Sequence, residues 1–492
     1  MTTTLLRGGT LVDPATRTKQ VGDVLLSGGK VAAVGLNLQP PVDCRTIEVT
    51  GMIVGPGFVD LHSHVHTIAG QRLQAMDGVT TALDLESGMM PLARAYADAA
   101  AQGRPLNYGF SASWGDARGQ VLTGVTPSAS IHQSLSLLGD PVWQATSTPA
   151  QRAAWLEVLR SELAQGALGI GILMGYAPRS DPQEYLAVAQ LAAEAGVPTY
   201  THVRELVEAD PGTPIDGVQE VVRAAAETGA AMHHCHVNST SRRHIDRVLS
   251  TLSLAQAQGS RVTVESYPYG AGSTAIGAFF LAPERLSAWG LTPSSLVLIP
   301  SGERISDLAR LREVREQAPG TPCVVEFLNE EDPGDRARLT AALAFPDSIV
   351  ASDAMPVFWP GGESESTQWP LPPGGSTHPR TAGTFCRSLR TMVIESGQWT
   401  WAEAFRRCSY LPARVLDDAA PAARSKGHLG IGADADIVVL DPANVTDMAT
   451  YLAPTTPSRG IRALFVGGEP VVRDGALVTD AFPGRPLRGE PR

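Results

Sequence analysis

The middle of the chain alternates short apolar runs with alanine-rich amphipathic stretches, a pattern typical of parallel β-strands joined by helices. One amphipathic stretch, 181–196, starts on Asp-Pro and ends on glycine, as helix capping predicts. Eight apolar runs are predicted strands: 58–64, 79–86, 106–113, 167–174, 198–204, 230–237, 261–269 and 347–354. Eight strands with intervening helices predict an α/β fold of the (β/α)8 TIM-type barrel class.

The two ends of the chain differ from the middle, because short β-type runs are separated there by Gly-Gly and Asp-Pro turns. They predict a small β-sandwich domain built from both chain termini, with residues 1–54 and 416–492 as its two parts. The barrel then takes residues 55–415, with an insertion at about 281–345. A Pro/Gly-rich loop, 358–380, follows the last strand and is a candidate lid or substrate wall.

The first barrel strand ends in FVDLHSHVH, which carries three histidines two residues apart, His62, His64 and His66. Residues two apart on a strand point to the same side, so Asp60, His62 and His64 share one face. The apolar set on the other face packs against the helices, which places the two histidines inside the mouth of the barrel. We expect His66 to lie beyond the strand end. Two imidazoles on one strand face can hold a divalent metal ion.

Polar side chains recur at the ends of four other predicted strands. Glu86, His202, His236 and Asp353 close these strands, and Asp84 lies one step below Glu86 on the same face. Because the C-terminal ends of barrel strands meet at one mouth, these groups are expected to converge. The predicted metal ligands are His62, His64, Glu86, His202, His236 and Asp353. This donor set suits Zn²⁺ or a similar transition metal, as one or two ions per subunit.

Composition narrows the partners and the location. The net charge of −11 opposes binding to nucleic acid or to an anionic membrane, since both select a basic surface. The five cysteines form no CxxC pair, and no apolar signal segment or long apolar run occurs. We therefore expect a cytoplasmic protein without a disulfide framework or a membrane partner, with a homo-oligomer left open. Only three of the 39 basic residues are lysines, and none falls between residues 31 and 425.

Several motifs resemble a known family over nearly the whole chain. PGFVDLHSH, TH at 201–202, CHV at 235–237 and ASD at 351–353 resemble the amidohydrolase superfamily. GALGIGILMGYAP, YTHVRE, YPY at 267–269 and HPRTAGTF at 378–385 resemble its N-acyl-D-amino-acid deacylase (D-aminoacylase) branch. The resemblance implies that His62 and His64 hold one metal and that His202 and His236 hold a second. It also implies that Asp353 is the catalytic general acid/base.

The same resemblance implies how the substrate binds. It places the carboxylate of a small amide substrate against Tyr267 and Arg380, with Arg204 nearby. The planar fork of arginine suits a carboxylate. The resemblance further suggests that His378 orients Arg380 or caps the loop. Asn238 stands where the branch often carries a lysine, so the grip on the carboxylate is expected to be weaker or different.

The chain departs from its relatives at the position that joins two metals. Many relatives use a carboxylated lysine, which the missing lysines exclude, and the branch uses a cysteine near the end of the second strand, where this chain has LESG. We expect Glu86 to be the bridging ligand, because the two oxygens of a carboxylate can reach two ions. The alternatives are Ser87 at the aligned position with a single-metal site, or Asp84 reaching up.

Three functions follow from these motifs. The first is a metal-dependent amidohydrolase that hydrolyses the amide bond of an N-acyl amino acid, with the D-enantiomer favoured, by metal-activated water. The second is a cyclic amide hydrolase of the hydantoinase or dihydroorotase kind, favoured by HCHVNSTS and opposed by the missing lysine and the insertion. The third is a catalytically silent scaffold, which would lack one or more metal ligands, whereas all of them are present here.

Overall fold

The structure is a computed structural model that describes residues 3–360 and 365–490. The strands are β1 (Thr4–Asp13), β2 (Thr18–Ser27), β3 (Lys30–Gly35), β4 (Arg45–Glu48), β5 (Ile53–Pro56), β6 (Phe58–Asp60), β7 (Val79–Asp84), β8 (Asn107–Phe110), β9 (Ala112–Ser113), β10 (Ile170–Leu173), β11 (Thr199–His202), β12 (Met232–His234), β13 (Val262–Ser266), β14 (Ala271–Ala275), β15 (Leu296–Leu298), β16 (Pro322–Glu326), β17 (Ile349–Val350), β18 (Ile437–Leu440), β19 (Ile461–Val466), β20 (Glu469–Arg473) and β21 (Ala476–Leu477).

The α-helices are α1 (Ile68–Met76), α2 (Leu92–Gln102), α3 (Trp114–Thr123), α4 (Ile131–Leu137), α5 (Pro141–Gln144), α6 (Pro149–Ala164), α7 (Pro182–Ala195), α8 (Gly217–Thr228), α9 (Val237–Ser241), α10 (Ile245–Ala257), α11 (Leu308–Gln317), α12 (Pro333–Ala344), α13 (Arg380–Leu389), α14 (Trp401–Phe405) and α15 (Leu411–Val415). Short 3-10 helices cover Met174–Tyr176, Arg242–His244, Phe279–Leu281, Leu286–Trp289, Pro293–Ser295 and Pro421–Ser425, and π-helical segments cover Arg390–Glu395 and Arg406–Tyr410.

Eight parallel strand positions form the predicted barrel. β6, β7 and β8 pair in that order, and β9, β10, β11, β12, β13 and β17 pair in a second run. β8 and β9 are pieces of one strand position separated by Ser111. A parallel bridge between Ser63 and Ala354 brings the last position beside the first, which closes the ring. The strands lie where the sequence predicts them but are shorter than predicted. Several site residues therefore lie just beyond the paired segments.

Helix capping places the connecting helices as the pattern predicts. Asp181 caps α7 by accepting a hydrogen bond from the backbone N–H of Gln183, and Gly196 ends the helix in the left-handed conformation. The helices pack apolar faces onto the strands, and the largest buried apolar cluster extends across this interface. Within the described residues, no helix combines the length and the apolar character that crossing a bilayer requires.

The small domain joins both ends of the chain in one nine-stranded sheet. β5 pairs with β18, so the strand that leads into the barrel lies beside the first strand that follows it. The pairing of β1 shifts between Leu6 and Gly9, and its first half pairs with β4 while its second half pairs with β5. The sheet encloses its own apolar cluster, separate from the barrel core.

The insertion starts earlier than predicted. β14, β15 and β16 form a separate antiparallel sheet, so the insertion begins at about residue 271 rather than 281. Its first strand, AGSTA, is built from small residues and lacks the apolar character that marks a strand in sequence. At the other end, α12 packs against α10 and belongs to the helical layer of the barrel.

The candidate lid at 358–380 has a different role in its described part. Phe358 and Ser376 exchange backbone hydrogen bonds of 2.8 Å, which closes the loop on itself. Val357 and Trp359 pack against α1 in an apolar cluster. Residues 361–364 of this loop lie outside the described residues. Of the described loop residues only the last, Arg380, lines the central cavity, so the loop packs behind the cavity instead of covering it.

Candidate metal centre and active site

The six predicted ligands converge at the mouth of the barrel, and Glu86 lies at their centre. Its Oε1 is 2.7 Å from Nε2 of His236 and 3.2 Å from Nδ1 of His202. Its Oε2 is 3.2 Å from Nε2 of His62 and 3.6 Å from Nε2 of His64. Glu86 therefore extends one oxygen to each histidine pair, which is the arrangement expected of a bridging carboxylate.

Asp353 completes the cluster from the last strand position, which lies beside the first. Its Oδ1 is 3.4 Å from Nε2 of His62 and 3.6 Å from Nε2 of His64. One atom each of His62, His236 and Asp353 also lies within 4.8 Å of the others. All six side chains are buried. Imidazole nitrogens and carboxylate oxygens gathered this closely fit a zinc-type ion, so the donor set suits the group that the sequence predicts.

Two of these residues adopt a backbone conformation that is rare outside glycine. His236 has φ of 33° and Asp353 has φ of 50°, both in the left-handed region. Such strained residues persist where the surrounding structure holds them, and they cluster at functional sites. Each of the two lies just after a barrel strand, so the strain turns its side chain into the mouth.

Glu265 supports the site and was missed by the sequence reasoning. Its Oε1 accepts a 2.6 Å hydrogen bond from Nδ1 of His62, and its Oε2 is 2.9 Å from Nε2 of His233. Burial raises the pKa of Glu265, but His62 and His233 outweigh burial and hold it well below its usual range. The available signal was a charged residue inside the apolar strand VTVES, since a buried carboxylate needs partners.

Asp84 holds the second histidine of the first strand. Its Oδ2 is 3.2 Å from Nδ1 of His64 and 2.8 Å from Nε2 of His66. Burial lowers the pKa of His64, but Asp84 outweighs it and raises the pKa to about 9. Asp84 therefore lies behind His64, away from Glu86, which opposes the alternative in which it bridges. Ser87 lines the cavity, and its buried Oγ has no partner among the described residues.

Arg380 and Tyr267 lie together in the cavity, as the resemblance implies. Nη2 of Arg380 is 2.9 Å from Oδ1 of Asp353, and its guanidinium carbon lies 4.8 Å from the centre of the Tyr267 ring. Its Nε and Nη1 are buried without a hydrogen-bond partner among the described residues. Such donors are costly to leave unpaired, so either nitrogen is suited to donate a single hydrogen bond to an incoming carboxylate.

Arg204 and His378 are not among the described residues that line the cavity, so the geometry does not support the substrate roles predicted for them. Arg204 is fully buried and donates to Glu220 from Nε at 2.9 Å and from Nη2 at 2.8 Å, which occupies the fork that a substrate would need. Nδ1 of His378 accepts a 3.0 Å hydrogen bond from the backbone N–H of Arg380, and the ring lies between Tyr269 and Tyr451. His378 therefore fixes the start of α13, the helix that carries Arg380.

Asn238 also lies outside the cavity lining. Its Oδ1 accepts from the backbone N–H of Tyr267 at 3.4 Å, and its Nδ2 donates to the carbonyl of Tyr269 at 3.3 Å. Asn238 therefore connects the segment that follows β12 to the segment that follows β13. Arg380 is then the one charged side chain, outside the predicted metal ligands, among the described residues that line the cavity.

The cavity beside Glu86 and Arg380 is large and mostly apolar. It encloses about 760 Å³ of space, its open mouth included. The apolar lining comes from α4 and the residue after it, from the insertion and from strand ends: Ile131, Leu135, Leu138, Leu173, Phe280, Val325, Phe327, Trp289 and Met355. The contribution of α4 was not foreseen, because its short pattern carries no feature that links it to the barrel mouth.

A closed parallel barrel with a histidine and carboxylate cluster at its mouth, joined to a β domain from both termini, is the architecture of a metal-dependent hydrolase. The chain belongs to the amidohydrolase family, whose profile matches residues 45–472. It is 27% identical over 507 residues to the D-aminoacylase of Alcaligenes xylosoxydans xylosoxydans, across 98% of this chain and 97% of that protein.

Two further relatives give the same picture. The N-acyl-D-aspartate deacylase of Alcaligenes xylosoxydans xylosoxydans is 28% identical over 501 residues, across 98% of this chain and 94% of that protein. The N-acyl-D-glutamate deacylase of Bordetella bronchiseptica, solved with zinc and a phosphonate inhibitor, is 25% identical and superimposes with a TM-score of 0.75 over 99% of both chains.

Proposed function

We propose that this protein is a metal-dependent deacylase that hydrolyses the amide bond of an N-acyl-D-amino acid. The observation that carries the proposal is the position of Glu86 between two histidine pairs, next to the ion pair of Asp353 and Arg380. The relatives named for D-amino-acid deacylation match almost the whole chain, which favours the D series.

In this proposal His62 and His64 would hold one Zn²⁺ and His202 and His236 a second, with Glu86 as a ligand that both sets share. Zinc bound there supplies a Lewis acid for the carbonyl oxygen and makes water available as a nucleophile near neutral pH. Glu265 and Asp84 fix the rings of the first pair by accepting from their Nδ1 atoms, and such outer partners usually strengthen metal binding.

Asp353 acts as the general acid/base. Its carboxylate lines the cavity beside the histidines, from a residue whose φ of 50° lies in the left-handed region. It takes the proton of the water and passes it to the nitrogen as the C–N bond breaks. Arg380 keeps the carboxylate in place and offers its free N–H groups to the carboxylate of the substrate.

The cavity favours a substrate with one carboxylate and an apolar side chain or acyl group. Arg380 can pair with the α-carboxylate, and most of the remaining wall is aliphatic or aromatic, with hydroxyl groups such as those of Ser87 and Ser273 among it. A second carboxylate, as in an N-acyl-aspartate or N-acyl-glutamate, would lose its hydration there without gaining a second cationic partner. We therefore expect derivatives of D-leucine, D-methionine or D-phenylalanine to be turned over in preference to acidic ones.

The test is hydrolysis of matched N-acetyl-D- and N-acetyl-L-leucine, N-acetyl-D-glutamate, hydantoin and dihydroorotate by the zinc-loaded protein. Turnover of the D-leucine derivative alone is the expected result. Activity confined to hydantoin or dihydroorotate would replace the proposal with the cyclic amide hydrolase, and turnover of the L series alone would overturn the D assignment. The cytoplasmic location and the homo-oligomer stay predictions.

A further inference from the structure

The four histidines of the proposed metal centre are held in two different ways. His62, His64 and His236 each have a polar partner on Nδ1, the nitrogen remote from Glu86: the partners are Glu265 at 2.6 Å, Asp84 at 3.2 Å and Ser239 at 3.0 Å. His202 instead faces Glu86 with its Nδ1, and the described residues give its ring no second polar partner. Its orientation must come from packing.

That packing is a column of stacked groups. The ring of Phe280 lies parallel to His202 at 9°, with 6.0 Å between the ring centres. Trp289 in turn stacks on Phe280, with 4.7 Å between the ring centres and 12° between the ring planes. The guanidinium carbon of Arg242 lies 3.3 Å from the centre of the Trp289 ring. The sequence of contacts runs from His202 outward to Arg242 without a gap.

The far end of the column is fixed by Glu205. Nε1 of Trp289 donates to Oε2 of Glu205 at 2.8 Å, and Nη2 of Arg242 lies 3.7 Å from the same oxygen. His202 also packs against Tyr176 and His236, whose ring centres lie 4.6 Å and 4.7 Å from its own, and against Gly175, where a Cβ would lie 2.5 Å from Cδ2 of the histidine. Phe280 is the member of this surrounding shell that the insertion supplies and that stacks parallel to the ring.

Phe280 and Trp289 both belong to the insertion, and both also line the cavity. We propose that Phe280 is a positioning residue for His202, and that Trp289, Arg242 and Glu205 hold Phe280 in place. The insertion thus sets the orientation of one metal ligand, and does not only cover the substrate. This inference rests on the proposed metal centre and is independent of which amide is hydrolysed.

The experiment measures zinc binding by competition with a chromophoric chelator, together with the visible absorption of the Co²⁺-substituted protein, for a set of variants without substrate. The variant His202→Ala shows which of the zinc-binding steps in the competition experiment depends on His202. Phe280→Leu, which keeps an apolar side chain but removes the ring, is expected to weaken that step about threefold to tenfold. It should also change the Co²⁺ spectrum. Phe280→Tyr, which keeps the ring, is expected to retain both.

The matched control is Phe279→Leu. Phe279 is the neighbouring residue in the insertion, and its ring contacts Arg285 and Arg179. Unchanged zinc affinity in Phe280→Leu would overturn the proposal, and so would an equal loss in Phe279→Leu, which would indicate general loosening of the insertion. A wild type that binds no zinc would overturn the metal centre and this inference together. Zinc binding without deacylase activity would leave this inference standing and remove only the proposed substrate.

Discussion

Arg380 and Asp353 form a buried ion pair, with 2.9 Å between Nη2 of the arginine and Oδ1 of the aspartate. The pair joins the group proposed to bind the substrate carboxylate to the group proposed to move protons. A substrate that binds Arg380 therefore also brings its amide close to Asp353. The pairing leaves Nε and Nη1 of the arginine without a partner among the described residues, so a substrate can bind there without breaking the ion pair.

Asp353→Asn tests the proton-transfer role. We expect kcat to fall by at least about 100-fold, because an amide cannot accept the proton of the attacking water. Zinc content should stay unchanged, since the histidines and Glu86 remain. Asparagine tolerates the left-handed backbone that Asp353 adopts, so the variant is not expected to disturb the fold. Steady-state kinetics with elemental analysis checks both points, and full activity would remove Asp353 from the mechanism.

Glu86→Ala tests the bridging role. The carboxylate reaches both histidine pairs, so its loss should lower the number of zinc ions per subunit and not only the affinity. Elemental analysis of protein loaded with excess zinc and then desalted gives the stoichiometry. Ser87→Ala is the matched control from the next residue, and it separates Glu86 from the single-metal alternative built on Ser87. An unchanged stoichiometry in Glu86→Ala would contradict the bridge.

Arg380→Ala tests carboxylate recognition. Removal of charged hydrogen bonds worth about 1.5–3 kcal/mol should raise KM about 10- to 100-fold for N-acetyl-D-leucine. The corresponding amide, N-acetyl-D-leucinamide, lacks the carboxylate and should show a much smaller change in KM. Because Arg380 also pairs with Asp353, kcat is expected to fall for both substrates. Equal changes in KM would argue against a carboxylate site.

Arg204→Ala tests the corrected assignment of that residue. Its removal leaves Glu220 buried without its partner, which is expected to cost about 3–5 kcal/mol of stability. KM for the remaining folded enzyme should stay unchanged, since Arg204 does not line the cavity. Thermal unfolding and KM together decide the question. A raised KM at unchanged stability would restore Arg204 as a substrate residue.

Asp116 should make stability depend on pH. Burial, opposed by the hydrogen bond from Ser134, raises the pKa of Asp116 from 3.8 to about 7. Between these values the folded protein keeps a proton that the unfolded chain has lost, so stability falls as pH rises, by at most about 1.4 kcal/mol per pH unit. Asp116→Asn should flatten this dependence. Urea unfolding of both proteins at pH 5 and pH 8 measures it, and parallel curves would contradict the assignment.

The sequence carries most of the barrel because each strand is a short apolar run and each ligand stands at the end of one. His62 and His64 lie two positions apart at the end of the first strand, and Glu86, His202 and Asp353 likewise stand at the ends of later strands. The ion pair of Arg204 could not be predicted, because its partner, Glu220, lies on a helix, and sequence spacing does not show which face of α8 meets the arginine. The stacking of Phe280 on His202 could not be predicted either, because the two residues lie far apart in the sequence.

The Ser63–Ala354 bridge closes the ring between the first and the last strand positions, directly beside His62, His64 and Asp353. These three side chains come from opposite sides of that closure. An ion held among them would span the seam, so that opening the barrel and releasing the ion become one event. The proposed zinc would then hold the first and the last strand positions together, and its removal should lower the free energy of unfolding of the whole barrel.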